Sequence, residues 1–431
     1  MHKKLYILIS VFALASMLLA SCGGGSQQAA STQPELLRVW IQWGDNPQQI
    51  QELFDKYTAV SGIKVEVTAP LEEDKLLPSL TGSEPPDVLV LSGGDLVKSY
   101  AKEGLVTDLT DIIKTGGIDL NDFFDAPLRQ CKSGDQILCL PWGTDMYALF
   151  WNKDMFEAAG LDPNTPPATM EQLAEFADKL TVRDADGKLM QVGFLPDQGW
   201  DHSDLYVRMF GGFWYSEDGT QMTANSQPMI DSLNWQQQFY TKYNADEVLA
   251  LSSGWADAYM SPDYPFYTGK MAMYVDGEWM TGPNFISAFK PEASYGVAPF
   301  PPPADHPERA NTAVVQGTVA VIPAGAKNKD ASAKLLAWMM SPDIVAEEFC
   351  FNANLPTSKT AAKDPCFTEN PKFKVFTDLM SSPNATIIVT TPISLEFNDA
   401  YGVVLERAVH NGEDPKPLLD ELQAQFEPNL K

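Results

Sequence analysis

Basic side chains are scarce in this sequence: 30 lysines and arginines stand against 57 aspartates and glutamates, a net charge of −27. A polyanion of that kind releases no counterions from nucleic acid, which excludes nucleic-acid binding as a main task. The same sign argues against binding anionic lipid through the folded surface. Histidine is rarer still, with four in 431 residues, at positions 2, 202, 306 and 410. The G-x-S-x-G elbow, the Walker glycine loop, G-x-G-x-x-G and H-E-x-x-H are all missing. No C-x-x-C offers a zinc or thioredoxin-like site. No cofactor and no metal site are therefore expected. Beyond the first twenty or so residues, no apolar run reaches the roughly 18 residues of a membrane-spanning helix.

The composition that is present, 44% hydrophobic and 20% charged, is that of a globular protein. At roughly 100–200 residues per domain, the length predicts two or three domains. His2, Lys3 and Lys4 precede an apolar run from Leu5 to Ala20, the pattern of a secretory signal. It ends in Leu19-Ala20-Ser21-Cys22, which resembles a bacterial lipoprotein signal with Cys22 as the lipidated residue. Residues 1–21 then leave as signal peptide, and 22–35 form a flexible tether rich in glycine, serine and glutamine. Of the five cysteines, Cys131, Cys139, Cys350 and Cys366 remain. An even count in an exported chain suggests disulfides, and the local pairs 131–139 and 350–366 close the shortest loops. Four free buried thiols are the other reading.

The periodicities alternate between two and 3.6. Leu36–Ile41 reads as a strand. Asn46 and Pro47 then start a helix carrying Ile50, Leu53, Phe54 and Tyr57 on one face, which ends at Gly62. Ile63, Val65 and Val67 alternate as the next strand, completing a βαβ unit. Further strands are expected at 87–91, 147–151, 271–275 and 318–322. Thr169 with Gln172 forms a capping box, 331–340 reads as a helix, and Pro417 opens a last one. Phe397, Tyr401, Val404, Leu405 and Ala408 share a helical stripe. Strands alternating with helices mean a largely parallel α/β architecture.

Ten tryptophans stand out. Trp40, Trp151, Trp235 and Trp338 lie inside apolar patterns and are assigned to the core. Trp43, Trp142, Trp200, Trp214 and Trp279 sit beside glycines and carboxylates at turns. An indole next to a carboxylate suits a sugar, whose C–H face stacks while its hydroxyls donate in the plane.

The segments VWIQWGDNPQQIQELFDKYTAVSGIKVEV (39–67), PPDVLVLSGGDLVKSYAKEGLVTDLTDII (85–113) and LPWGTDMYALFWNKDMFEAAGLDP (140–163) carry a family resemblance, as do FYTGKMAMYVDGEWM (266–280), YGVAPFPPP (295–303) and QGTVAVIPAGAKNKDASAKLLAWMMSPD (316–343). Together they resemble the extracellular solute-binding proteins of bacterial ABC importers, in the sugar-binding group related to maltose-binding protein. The resemblance implies a two-lobed periplasmic-binding-protein-like fold (type II). Each lobe would hold a central, mainly parallel sheet with helices on both faces. Lobe 1 is expected over 36–140 and 276–322, lobe 2 over 141–275 and 323–431, with crossings near Leu140, Val275 and Ile322. It further implies a carbohydrate ligand gripped by hinge closure, permease subunits as partners, a monomer without catalytic residues, and a position at the outer face of an envelope membrane.

Residue by residue, the resemblance places ligand contacts at Gln42, Trp43 and Asp45 after the first strand, and at Asp95 in the SGGD turn. It adds Trp142, Asp145 and Tyr147 after the first crossing, then Gly211, Gly212 and Trp214. Glu278, Trp279, Gln316 and Gly317 complete the set. Tyr147 equally suits hinge packing, and Asp276 a turn. The segments around the two cysteine pairs depart from the family pattern. The alternatives are the same fold with a polyamine or glycerophosphodiester cargo, and a secreted glycosidase using two cleft carboxylates, which no motif favours.

Overall fold

The computed structural model describes residues 34–44, 46–94, 96–198, 202–216 and 218–430. The signal segment, Cys22, nearly all of the tether, Asp45, Asp95 and Trp200 lie outside the described residues. Strand β1 (Leu36–Ile41) buries Leu37, Val39 and Ile41 completely. Asn46 then caps the helix Pro47–Ser61, its side-chain oxygen accepting from the Gln49 N–H at 3.3 Å. Ile50, Leu53, Phe54 and Tyr57 turn into the core as their spacing requires. Strand β2 (Lys64–Thr68) returns parallel to β1, and β3 (Val88–Leu91), buried at every position, lies parallel on the other side. Two later pieces, β4 (Leu140–Pro141) and β8 (Val319–Val321), extend the sheet antiparallel in the order β2-β1-β3-β8-β4.

The second large sheet has the order β6-β5-β7, with β5 (Tyr147–Asn152) central between β6 (Met273–Gly277) and β7 (Tyr295–Ala298). Both pairings are antiparallel, so the expectation of a mainly parallel sheet in each lobe fails here. The apolar run YALFWN identified a buried strand, but hydrophobicity carries no information about a neighbour's direction. Among the described residues, no helix is long and apolar enough to cross a membrane.

Sheet membership also redraws the expected segments. Strand β7, placed with lobe 1 from sequence, pairs with β5 instead. The helix Lys329–Met339, placed with lobe 2, packs on the helix Thr110–Gly116 beside the first sheet. The chain passes between the sheets at 142–146 and again at 299–318, and these two passages touch. Asp145 bridges Gln316, and Leu355 pairs with Thr144. At Gly317 a Cβ would come within 2.5 Å of the Gly143 carbonyl oxygen, so only glycine lets the strands approach so closely. Both local cysteine pairs, Cys131–Cys139 and Cys350–Cys366, form disulfides.

Candidate functional site

Gln316 is the centre of the contact between the passages. Its carbonyl oxygen accepts from the Asp145 N–H at 2.8 Å and from the Thr144 hydroxyl at 2.6 Å. Its side-chain amide is held at both ends: Nε2 donates to Asp204 Oδ2 at 2.8 Å, and Oε1 accepts from the Tyr147 hydroxyl at 3.1 Å. Burial, reinforced by the negative charges of Asp204, Asp145, Asp276 and Glu278, pushes the Tyr147 phenol well above its usual range. Tyr147 therefore stays a neutral donor, and its ring rests edge-on against His202 at 4.6 Å. Burial also lowers the His202 imidazole to about 4, leaving it neutral.

Above this cluster lies a cavity of about 380 Å³, within the range of small-molecule sites, about 300–1,000 Å³. The first sheet contributes Gln42 after β1 and the turn Ser92-Gly93-Gly94 after β3. The Gln42 side-chain carbonyl ties the two loops by accepting from the Ser92 N–H at 2.9 Å. These are the carboxyl ends of parallel strands, where α/β sheets place ligands. The helix Ser394–Leu405 supplies Ser394, Phe397, Asn398 and Tyr401 at spacings of three and four, one continuous face. Phe397 and Tyr401 stack at 6.1 Å, and Trp214 meets Tyr401 edge-on at 5.5 Å. The cavity thus pairs an aromatic wall with polar side-chain ends and one buried carboxylate, Asp204.

Of the residues expected at a ligand, Gln42, Trp214 and Gln316 line this cavity, and Tyr147 and Asp145 stand directly behind Gln316. Gly211 and Gly212 line an adjoining chamber instead. Trp142 does not line the cavity. It is fully buried, packed between Trp43 at 6.1 Å, Phe54 at 6.3 Å and Phe349 at 5.3 Å. Trp43 stacks on it, and Trp279 donates its indole N–H to the Tyr259 hydroxyl at 2.7 Å; neither lines the cavity. Glu278 does not line the cavity either. It has no exposed surface and accepts from the Met146 N–H at 3.0 Å, the Leu355 N–H at 3.3 Å and the Asn354 amide at 3.4 Å. Burial, then the Asp145 charge, pushes its carboxyl well above the usual range.

Asp204, Gln130, Tyr215 and Asn398 line the cavity without having been anticipated. The helix Ser203–Met209 that carries Asp204 is buried at all seven positions, so it offers no amphipathic pattern to read.

Residues 42–346 match the family described as bacterial extracellular solute-binding protein. Among curated relatives, the sn-glycerol-3-phosphate-binding periplasmic protein UgpB of Escherichia coli is 26% identical over 302 residues, 65% of this chain and 63% of its own length. A "Probable amino-acid ABC transporter periplasmic-binding protein", y4oP of Sinorhizobium fredii, is 24% identical over 243 residues, 54% of this chain and 50% of its own. The chain thus spans less than two thirds of the length of either relative. A structure of CpMnBP1 with mannotriose bound superimposes with a TM-score of 0.81 at 26% identity, covering 90% of this chain and 99% of that one.

Proposed function

The chain belongs to the bacterial extracellular solute-binding protein family, and from that premise we propose that it captures a sugar, a di- or oligosaccharide, for an ABC importer. The observation that carries this reading is the cavity in which Trp214, Phe397 and Tyr401 face the polar ends of Gln42, Asp204, Gln316 and Asn398. Flat rings accept the C–H faces of a pyranose, and the amides and carboxylate accept and donate to its hydroxyls. The mannotriose bound by CpMnBP1 supports the same class of ligand. In this reading the two larger sheets are the cores of two lobes, about 36–141 with 319–340 and about 147–298 with 374–430. Closure about the passages at 142–146, 299–318 and 341–373 lets bound sugar select the closed form by its contacts to both lobes. Cys22 would carry the lipid anchor, and permease subunits would receive the cargo from a monomer. No covalent step enters the scheme.

The experiment is thermal unfolding of the purified chain against a carbohydrate panel that includes mannobiose and mannotriose. Ligand at about a hundred times its Kd adds about 2.7 kcal/mol of stability, a clear rise in Tm. Flat melting curves across the panel refute the sugar reading. A rise with glycerophosphocholine alone selects a second reading, a phosphodiester cargo: the relative UgpB is named for sn-glycerol-3-phosphate, and an aromatic wall beside Asp204 also suits a quaternary ammonium.

A further inference from the structure

Beside the sugar cavity lies a larger chamber of about 770 Å³. The two share Gln130, Tyr215 and the run Ile388–Thr390 as a common wall. In a chain with nearly twice as many acids as bases, no described aspartate or glutamate lines this chamber, whereas Lys98 and Arg129 do. Lys98 is half-buried, and among the described residues its ammonium donates to the Thr390 carbonyl at 3.0 Å, on the common wall. Burial lowers its pKa, the signature of a cation held short of water.

Two more guanidinium groups back the same chamber. Arg208 is almost fully buried. It donates to the carbonyls of Gly212 at 2.7 Å and Ile387 at 3.5 Å, both residues of the chamber wall, and lies 3.8 Å over the Phe213 ring. Arg309 lies against Gly211, where a Cβ would meet its Nη2 at 2.6 Å, so the glycine makes room for the guanidinium. Among the described residues, Lys98, Arg208 and Arg309 form no salt bridge, and Arg129 has only Asp125 at 3.3 Å, a well-exposed partner. The nearby acids hold other hydrogen bonds, Asp218 in its own turn, Glu308 with His306 and Asp204 with Gln316, while the Asp204 charge still acts on Arg208 and the Glu308 charge on Arg309; Lys98 and Arg129 on the chamber lining have neither.

We infer that this chamber takes an anionic group, a carboxylate or phosphate, attached to the saccharide whose neutral part occupies the adjoining cavity. The ligand class is then an acidic sugar, an inference that rests on the sugar reading of the first cavity. One charge-assisted hydrogen bond from a desolvated lysine or arginine contributes enough for about a tenfold gain in affinity.

Calorimetric titration of the purified chain with matched pairs tests this: galactobiose against digalacturonate, and glucose against glucose 1-phosphate. The first pair reads carboxylate, the second phosphate. In at least one pair the anionic member should bind about tenfold tighter or more. That ratio should fall toward one in Lys98→Gln with Arg129→Gln, and on raising salt from about 50 mM to about 0.5 M with the unaltered chain, which needs no variant to fold. Neutral sugars binding as tightly as both anionic partners, or a preference that ignores salt, overturns the inference and leaves the sugar reading standing. If no saccharide of either kind binds, the sugar reading fails and the chamber assignment fails with it.

Discussion

Asp276 sits in β6 with no exposed surface, opposite Ala148 of β5. Its carboxylate accepts from the Tyr259 hydroxyl at 3.0 and 3.1 Å and from the Gly277 N–H at 2.8 Å. Among the described residues, no lysine, arginine or histidine pairs with it. Burial raises its pKa to about 7, against the pull of those hydrogen bonds. The folded value is thus raised above an unfolded value near 3.9. Below about pH 4 both states hold the proton and nothing is lost. Between about pH 4 and 7 the unfolded chain ionises first, and stability declines. Above about pH 7 the loss is complete. At about 1.4 kcal/mol per unit over about three units, the ionised group costs about 4 kcal/mol, of which about 2.5 kcal/mol develops between about pH 5 and 8. Asp276→Asn keeps an acceptor for Tyr259 and cannot ionise. Urea unfolding followed by tryptophan fluorescence should show the variant gaining about 2.5 kcal/mol on the natural chain between those two pH values. A stability difference that does not change with pH would refute the argument that burial outweighs the hydrogen bonds to this carboxylate.

Four other substitutions probe separate parts of the molecule. Glu278→Ala leaves the Met146 and Leu355 N–H groups without their acceptor, while the Asn354 amide keeps Asp145 at 3.2 Å, and should cost about 3 kcal/mol or more in urea unfolding. Gly317→Val drives a side chain into the Gly143 carbonyl, so Tm should fall by several degrees; an unchanged Tm would mean the passages separate freely. Trp214→Ala should weaken saccharide binding about tenfold or more by calorimetry, because it removes a ring from the cavity wall. Replacing Cys131 and Cys139 by serine reopens a short loop, eight residues in sequence separation, and should cost about 2.5 kcal/mol in denaturant unfolding.

Much of the first sheet was legible because its signals are local. Asn46, Pro47 and the 3.6-residue stripe fix the helix Pro47–Ser61 without reference to anything distant. Thr169 caps its helix as expected, its hydroxyl accepting from the Gln172 N–H at 3.2 Å, while the Gln172 side chain reaches one residue further back and accepts from the Ala168 N–H at 2.6 Å. The second sheet was harder, since β5 finds its partners more than a hundred residues away and hydrophobic content does not say which of them pair. The sequence alone places the start of the last helix at Pro417, yet Asp414 caps it and Pro415 opens it. Both prolines satisfy the first-turn rule, and only the cap separates them.

The tryptophans show where a single sequence misleads about a site. A ring beside glycine and a carboxylate suits a sugar platform; Trp214 lines the cavity, whereas Trp142, Trp43 and Trp279 do not. The difference is not chemical. The turn after Trp142 is a passage between sheets, and Phe54, Phe349 and Trp43 close over the indole from three segments remote in sequence. The turn-side carboxylate Glu278 has the same fate, spent on backbone N–H groups of Met146 and Leu355. A residue type therefore announced the chemistry, while the passages decided which copies of it remained open. Gln316 belongs to both classes: its amide reaches the cavity through Asp204, and its carbonyl oxygen holds Thr144 and Asp145. Under the proposed function, a ligand that draws on that amide pulls on the joint between the two sheets, so Gln316 ties binding to closure through one side chain.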